Sequence, residues 1–581
     1  MTGEGEAESS GSLHDRLVTA QLTGQPLDLR PDPVQARTID GEDFRTLLVC
    51  ADPKTTHPLG LHVAGLIVAG KVDLSYCTVE RPLDLREARI DGPLLLGRLH
   101  IPALDITGST VADVWAPSLD VTYSLCLEGT TIARQLWLVG AGVGGDLLLD
   151  GLTVLHEDAT GKGSGRAGTP AVTVYGARIT GSWMMRQARV RGLVRLSNAV
   201  LGGDVVIADS AIERLPEVAG RQPRPVLLDA RRTRFGADAT LRGVVVDGEV
   251  FMSNCTVAGV LDVGGSTVGG VDDGGVDAGG VDDGDGLTLD GASVGGDLLL
   301  HDGFGCRGPL RLVDTAVGGS LRLQDCSLHV RKCSLAGRTP DGASALLAVG
   351  TKVSGTLTLR DVDLSGGLTL YGASADVLED GVGHGGARLD LGVWARATTI
   401  DLRDLSYRRF GPRSTTDVTD RIAWLEQLPG YDDTAWRQLG QVYLAQGRED
   451  DARDIAIAAQ DVRCSRTLKG PRRLGRRTLG VTIGHGYQPG RAVVIAAIWV
   501  VLFTLVLQVW SSDITHASTS TALPYKAAYA LDVFLPIIDL GLSDAWKVTG
   551  LVQWAGWATI IAGWALSTLL VSAFSRVVRN P

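Results

Sequence analysis

Aliphatic and polar positions alternate in short runs, and these runs return every eleven residues along much of the chain. The aliphatic residue that opens a run stands, for example, at Val121, Ile132 and Val143. Within the run that follows Val143, Leu147 and Leu149 are separated by one residue, so their side chains would point the same way on a strand. The pattern predicts many short strands whose alternate positions are buried.

The run from Val143 to Leu149, Val-Gly-Gly-Asp-Leu-Leu-Leu, returns letter for letter from Val294 to Leu300. The Asp-Gly pair that ends at Gly151 is a turn signal, because glycine adopts positive φ without steric cost. A strand, a glycine corner and a second strand describe half of a coil. The sequence therefore predicts a mainly β protein with a long β-solenoid over 61–406, built from half-coils of eleven residues. About fifteen coils would stack at ~4.8 Å.

Two other repeat architectures were weighed against the solenoid. Leucine-rich repeats have a similar length, but their Asn or Cys corner position is not filled regularly here. Pentapeptide repeats are excluded by the period of eleven.

The segments around the repeat divide the rest of the chain. Residues 1–12 are predicted as a disordered tail and residues 13–60 as an N-terminal helical cap, since 34–50 has helical spacing. Loop insertions are expected at about 155–171 and 269–286. A helical joint with a basic flank is expected at 407–490.

The helical joint contains a pattern typical of tetratricopeptide repeats. It comprises Trp436, Leu439, Gly440, Tyr443, Gly447, Ala452 and Ala459. Small residues at these positions let two antiparallel helices pack closely. A structural helical hairpin is favoured over a peptide-binding one, because a single repeat cannot bury its own apolar face.

Residues 491–581 are predicted as a two-helix transmembrane hairpin. The stretches 492–510 and 548–575 carry no charged residue and are long enough to span ~30 Å of hydrocarbon. Basic residues precede the first stretch, which predicts that both termini lie on the cytoplasmic side of a bacterial inner membrane. This flank is also expected to meet anionic lipid headgroups through Arg472, Arg473, Arg476 and Arg477.

The segment 524–541 between the two stretches is apolar but too short to span, and Pro536 would break a helix there. It is predicted to be interfacial or re-entrant, with Asp532 and Asp539 as polar sites at the membrane. For these two carboxylates, an amphipathic surface helix with solvated side chains is favoured over a pore or ion site.

Composition narrows the classes of function. The chain has 581 residues, 75 of them glycine, and a net charge of −11 that argues against a nucleic-acid partner. The N-terminus is acidic and polar, without the features of a signal peptide. The eight cysteines form no Cys-x-x-Cys pair and are expected to be free, mostly buried thiols in a reducing compartment.

Two segments resemble sites for small ligands. Gly140, Gly142 and Gly145 match the spacing of a dinucleotide-binding motif, but a strand pattern follows them where that motif needs a helix, so no cofactor is predicted. The tandem at 269–286 could gather a calcium ion through Asp272, Asp273, Asp277, Asp282, Asp283 and Asp285. An acidic loop is favoured there because the spacing differs from calcium-binding β-rolls. No catalytic residue and no metal site are predicted.

The layout resembles a family of bacterial, largely actinobacterial, membrane-anchored proteins. The resemblance is carried by His57-Pro-Leu-Gly-Leu-His-Val-Ala-Gly-Leu, by the Val-Gly-Gly-Asp-Leu-x-Leu units, and by the segments 484–491 and 531–540. Members of this family are commonly labelled membrane-associated oxidoreductases, and the solenoid is also similar to that of bactofilins. The resemblance implies a membrane-anchored β-solenoid, and the label implies a redox activity without placing catalytic residues.

Three functions are compatible with these features. The first is a non-enzymatic scaffold whose cytoplasmic solenoid binds an unidentified protein partner or assembles as a homo-oligomer. The second is a membrane pore or channel-like effector controlled by the solenoid. The third is the oxidoreductase that the family label implies.

Overall fold

The computed structural model describes the chain except at 1–11, 158–168, 216–224, 270–285, 331–343, 386–387, 429–430, 468–488, 511–513, 517–522, 536–540, 542–545 and 580–581. The chain divides into two compact units, Met1–Thr416 and Asp417–Pro581. We call the first the solenoid unit, because it holds the repeat, and the second the helical unit.

The solenoid unit is one hydrogen-bonded system of 47 parallel strands. Each strand pairs with the strand one coil further along the chain, as Leu125 does with Leu147. The amide of Asp146 donates to the Ser124 hydroxyl of the preceding coil, 22 residues earlier. These pairings confirm a mainly parallel β architecture of repeating coils, with two runs of eleven residues in each regular coil.

The strands stack in four columns around each coil. The first column holds Leu27–Asp28, Leu61–Ala64, Leu83–Arg86, Leu104–Asp105, Leu125–Cys126, Leu147–Leu148, Trp183–Arg186, Val205–Ala208, Ala239–Arg242, Leu261–Asp262 and Leu298–Leu300. The second holds Thr38–Asp40, Ile67–Ala69, Thr131–Ile132, Thr153–Val154, Arg189–Arg191, Ala211–Glu213, Val245–Val246, Thr267–Val268 and Phe304–Arg307.

The third and fourth columns complete each coil. The third holds Val72–Asp73, Leu136–Trp137, Pro170–Thr173, Leu193–Arg195, Val226–Asp229, Glu249–Phe251, Leu287–Thr288, Leu310–Arg311, Ser344–Leu347, Gly367–Thr369 and Ile400–Asp401. The fourth holds His100–Ile101, Asp120–Val121, Gly142–Val143, Arg178–Ile179, Val200–Leu201, Arg234–Phe235, Thr256–Val257, Ser293–Val294, Ala316–Val317 and Lys352–Val353. Longer strands belong to two adjacent columns: Arg89–Leu95, Thr110–Trp115, Leu321–His329, Thr356–Ser365, Ser374–Glu379 and Ser406–Phe410. Gly383–Gly385 and Arg388–Asp390 form a separate antiparallel pair.

The eleven-residue unit has a backbone cause. One residue in each regular unit adopts positive φ, as at Gly129, Gly140 and Gly151, with φ of 61°, 64° and 67°. This left-handed residue turns the chain from one column to the next. The aliphatic residues between such corners face inward, and Leu147 and Leu149 are both fully buried, as their spacing predicts.

The paired glycines of Val-Gly-Gly-Asp have a different role, because neither has positive φ. A Cβ on Gly144 would overlap the backbone carbonyl oxygen of Thr122 in the preceding coil. The Asp146 carboxylate that follows accepts a hydrogen bond of 2.7 Å from the Ser182 amide in the next coil. Close backbone approach and a carboxylate that bridges coils therefore explain the repeated motif.

Five coils are longer than the rest, and in one of them Leu368 pairs with Ile400, 32 residues later. Ser182 stands 36 residues after its partner Asp146, Asp238 stands 34 after Asp204, and Thr356 stands 36 after Ser320. The amide of Asn254 likewise donates across the segment 270–285, to the Asp290 carbonyl. The predicted insertions at 155–171 and 269–286 coincide with two of these coils, although most of their residues lie outside the described ones. The insertions after Glu213, after His329 and after Glu379 were not predicted.

The N-terminal region is only partly helical. It contains helices α1 (Leu13–Thr23) and α2 (Gly41–Val49) and a short 3-10 helix (Val34–Arg37). The structure places Ile39, predicted on a helix, in the strand Thr38–Asp40, which pairs with Ile67–Ala69. The coil therefore begins before residue 61, because this strand covers an otherwise open edge of the first regular coil.

The helical unit contains α3 (Val418–Gln427), α4 (Asp433–Ala445), α5 (Glu449–Thr467), α6 (Pro489–Val509), α7 (Leu523–Phe534) and α8 (Gly550–Arg579). In α4, Trp436, Leu439 and Tyr443 are buried, and Gly447 turns the chain towards α5 with φ of 73°. The predicted helical joint at 407–490 therefore contains three helices in its described part.

Helices α6, α7 and α8 share an apolar cluster that includes Phe503, Tyr529 and Val552. The strands Ile514–His516 and Trp546–Val548 pair antiparallel beside it. Helix α7 ends before Pro536, as predicted. Within the described stretches, no helix combines the length and the apolar character needed to cross a bilayer. The described residues therefore do not confirm the two predicted transmembrane helices.

Candidate functional site: an aromatic–arginine face

One face of the solenoid unit carries large aromatic side chains next to arginines. It is formed by the outward positions of the third column and by the corner that follows. Trp115 pairs with Trp137 one coil away, and their rings stack with centroids 4.8 Å apart. We call this surface the aromatic–arginine face, formed by Tyr76, Arg98, Trp115, Trp137, Tyr175, Arg195, Arg231, Phe251, Tyr371 and Arg403.

Exposure distinguishes this face from the others. Of the five aromatic side chains that are well exposed on the described solenoid unit, only Tyr123 lies elsewhere; the others are Tyr76, Trp115, Tyr175 and Tyr371. Each arginine of the face stands over an aromatic ring, at distances from 5.1 to 5.9 Å; the pairs are Arg98–Tyr76, Arg195–Tyr175, Arg231–Phe251 and Arg403–Tyr371. Aromatic residues and arginine are the types enriched where proteins bind one another.

The face contains a shallow pocket of about 270 Å³. It is lined by Tyr175, Arg195, Ser197, Asn198, Arg231, Arg232 and Asn254. Asn198, Arg232 and Asn254 all have positive φ, between 54° and 60°. The pocket therefore lies along the corners of three successive coils, where the chain turns out of the third column.

A buried carboxylate organises the arginines of the pocket. Asp229 is 1% exposed and receives two hydrogen bonds from the Arg231 guanidinium, at 2.9 and 2.8 Å. Burial acts to raise the pKa of Asp229, but the bonds from the Arg231 side chain and amide outweigh it and hold this pKa below the ordinary value. The same carboxylate raises the pKa of Arg231. Asp229 and Arg231 therefore form a charged pair that neutralises itself.

The positive charges of Arg195 and Arg232 are less well balanced by carboxylates than that of Arg231. The Arg195 Nε lies 3.6 Å from Asp229, too far for a hydrogen bond, and this buried atom has no hydrogen-bond partner. Arg232 is exposed and makes no ion pair with any part of the chain that the structure describes. The pocket is thus lined by three guanidinium groups, and Asp229 is the one carboxylate paired with them. The site therefore has an excess of positive charge.

The glycines that resemble a dinucleotide motif belong to the coil itself. Gly140 is a corner residue, Gly142 begins the strand Gly142–Val143, and Gly145 precedes the strand Leu147–Leu148. A strand, not a helix N-terminus, therefore follows the third glycine. Of the three, Gly145 allows close backbone packing against Tyr123, Gly140 supplies a corner of positive φ, and Gly142 has room for a side chain.

The other predicted site residues are spread over both units. Asp532 is buried on α7, in the same helix as Lys526, whose ammonium donates to the Gln508 side chain at 2.9 Å. Asp539, the carboxylates Asp272, Asp273, Asp277, Asp282, Asp283 and Asp285, and the arginines Arg472, Arg473, Arg476 and Arg477 lie outside the described residues. Across the described ranges, no three His, Cys, Asp or Glu side chains converge as a metal site would require.

The aromatic–arginine face was missed by the sequence analysis. One signal was available, because Trp115 and Trp137 stand one regular coil apart. The later members could not be aligned with them, since the insertion between the second and third columns at 155–171 breaks the period.

The described cysteines are free and mostly buried, as predicted, whereas the reducing compartment stays a prediction. Seven are free thiols, and four of these, Cys255, Cys306, Cys326 and Cys464, are buried. Burial raises the pKa of Cys255 and of Cys326 to about 12. Such thiols are inert near neutral pH, because only the thiolate is nucleophilic.

Alkylation should therefore separate the cysteines by position. In native protein at neutral pH, we expect iodoacetamide to modify the exposed Cys50 first and to leave Cys255 and Cys326 unmodified, as measured by peptide mass spectrometry over time. Unfolded protein in urea is the control, in which all three should react. Equal rates for Cys50 and Cys255 in the native protein would contradict the burial described here.

Comparison of the chain with protein-family models, with curated proteins and with solved structures finds no match. The resemblance to membrane-anchored solenoid proteins therefore rests on the sequence segments that carry it.

Proposed function

We propose that this protein is a non-enzymatic, membrane-associated scaffold whose solenoid binds a protein partner through the aromatic–arginine face. The observation that carries the proposal is the stacked pair of the exposed Trp115 and the half-buried Trp137 on a rigid parallel sheet. Rigid aromatic side chains lose little conformational entropy on binding, and they dominate the free energy of many interfaces. The stacked parallel coils also offer a long surface for assembly.

The helical unit supports the membrane part of the proposal. Helix α6 exposes Val493, Val494, Ile498, Val501, Leu502, Leu505 and Val509. Helix α8 exposes Leu551, Trp554, Trp557, Ile560, Ile561, Trp564 and Val571. Exposed apolar surface of this extent is typical of contact with lipid or with another protein. Trp499 of α6 donates to Thr559 of α8 at 3.3 Å, so the two helices lie side by side.

These features favour insertion of α6 and α8 into a bacterial inner membrane, with the solenoid and both termini in the cytoplasm. The basic segment at 463–491 has no acidic residue, and its position before α6 supports this orientation. Anionic lipid headgroups are the proposed partners of that segment.

Replacing Trp115 and Trp137 together by alanine tests the binding surface. We expect partner capture by the full-length protein, measured by cross-linking in cells and quantitative mass spectrometry, to fall about tenfold or more, as for other interface anchors. Tyr123→Ala is the matched control, because Tyr123 is an exposed aromatic residue on a different face. An equal loss of partners in both variants, or in neither, would argue against this face as the interface.

Deletion of residues 491–581 tests the membrane association. The full-length protein is expected in the membrane pellet after extraction with alkaline carbonate, and the deletion variant in the soluble fraction. If the deletion variant stays in the pellet, the helices are not the anchor, and lipid binding would then have to come from the basic segment or the solenoid.

A further inference from the structure

We propose that the pocket at Arg195, Arg231 and Arg232 binds the phosphate group of a phosphorylated protein segment. This inference rests on the proposed function, because it assigns a chemical class to the partner of the same face. It adds a specific anion site to a surface that would otherwise select its partner by aromatic contacts alone.

The charges of the pocket support an anionic ligand. Arg231 is occupied by Asp229 through two hydrogen bonds, so this pair contributes little net charge. The positive charges of Arg195 and Arg232 remain, and together they match a phosphate monoester, which carries nearly two negative charges at neutral pH. A ligand with a single carboxylate would balance only one of these two positive charges.

The geometry of Arg195 supports the same ligand. Its Nε is buried without a hydrogen-bond partner, although buried polar atoms are normally satisfied. Its side chain is 40% exposed and lines the pocket next to Tyr175, so the guanidinium has access to a ligand. Guanidinium groups present paired donors that fit the oxygens of phosphate, and such charge-assisted bonds are short and strong. The amides of Asn198 and Asn254 at the rim provide further donors.

A protein segment fits the site better than the other carriers of phosphate. Nucleic acid presents a continuous line of negative charge, which a chain of net charge −11 would repel. A lipid surface needs a broad basic patch, whereas the third column and the corner that follows it also carry Asp73, Asp290 and Asp401. An isolated phosphate on an extended segment can enter the pocket while neighbouring side chains contact the aromatic residues of the face.

The experiment measures binding of a degenerate pool of short peptides with one central phosphoserine to the full-length purified protein, by fluorescence anisotropy. We expect the phosphorylated pool to bind and the matched serine pool to bind at least about tenfold more weakly. Arg195→Gln and Arg232→Gln should each weaken binding of the phosphorylated pool about tenfold. Neither variant should lower the melting temperature, because neither side chain makes a hydrogen bond within the described residues.

Arg322→Gln is the matched control. Arg322 is an exposed arginine at an outward position of the first column, between Leu299 and Thr358 of the neighbouring coils, so it lies outside the aromatic–arginine face. Binding by this variant should equal that of the parent protein. The inference is overturned if the serine pool binds as well, if Arg322→Gln loses as much affinity as Arg195→Gln, or if inorganic phosphate or vesicles of phosphatidylglycerol displace the peptide at equal phosphate concentration.

The outcome can be separated from that of the proposed function. If cells retain partner capture after Arg195→Gln and after phosphatase treatment, but lose it with the Trp115 and Trp137 variant, the phosphate site is wrong and the scaffold stands. If the phosphorylated pool binds through Arg195 and Arg232 while the tryptophan variant captures partners normally, the site is correct and the face is not the assembly surface.

Discussion

Replacement of Trp183 by alanine is expected to lower the free energy of unfolding of the solenoid by about 3–5 kcal/mol. Trp183 occupies the inward position that Leu147 fills in the preceding coil and Val205 in the next, and it is fully buried. Alanine would leave a cavity the size of an indole ring between two coils. Because each coil contacts only its neighbours, a cavity in one coil weakens the two interfaces that it shares.

Trp183→Leu should lower the free energy of unfolding by less than Trp183→Ala does. The indole Nε1 is buried without a hydrogen-bond partner, so leucine fills part of the space and removes an unsatisfied donor. Met184→Ala is the control, because Met184 is the next residue of the same strand and is less buried. The measurement is a urea titration of the full-length protein followed by circular dichroism. Equal midpoints for the Trp183→Ala and Met184→Ala variants would show that the strand does not face the core as described.

Gly144→Ala is expected to destabilise the solenoid by about 1–3 kcal/mol, although it adds only one methyl group. That methyl group would overlap the carbonyl oxygen of Thr122, which belongs to the backbone of the preceding coil and has no room to rotate away. Relief would require the two coils to move apart, which would weaken the hydrogen bond from the Gly144 amide to the Val121 carbonyl.

Gly142→Ala provides a control within the same motif. A Cβ on Gly142 would come no closer than 3.7 Å to the Asp120 side chain, which is ordinary contact, and its φ is not positive. Alanine there should be neutral or stabilising by less than about 1 kcal/mol. The same urea titration distinguishes the two variants. A larger loss of unfolding free energy in the Gly142 variant than in the Gly144 variant would contradict the packing. It would instead favour a role of Gly142 in contact with a ligand.

The repeat was predictable because its cause is local. The residue of positive φ, the inward leucine pair and the glycine pair each recur at a fixed distance in sequence, so counting positions such as Val121, Ile132 and Val143 is sufficient to find the half-coil. The glycines at 140, 142 and 145 could also be interpreted from their sequence neighbours, because a strand pattern follows them. The N-terminal cap was predicted less well, since Ile39 has helical spacing but pairs with the first regular coil.

The tertiary structure decided which exposed residues meet. Trp115 and Trp137 lie one regular coil apart, but Tyr175, Arg195 and Arg231 follow coils of unequal length, so their distances in sequence share no period. The pairing of strands across those insertions brings these residues onto one face. The buried Asp229 balances the charge of Arg231, and this leaves the other arginines of the pocket available, which only the structure shows. The sequence by itself determined the half-coil, because the corner residue, the inward leucine pair and the glycine pair that define it all lie within eleven residues. The binding surface depended on how unequal coils stack, and the backbone hydrogen bonds between coils determine that stacking.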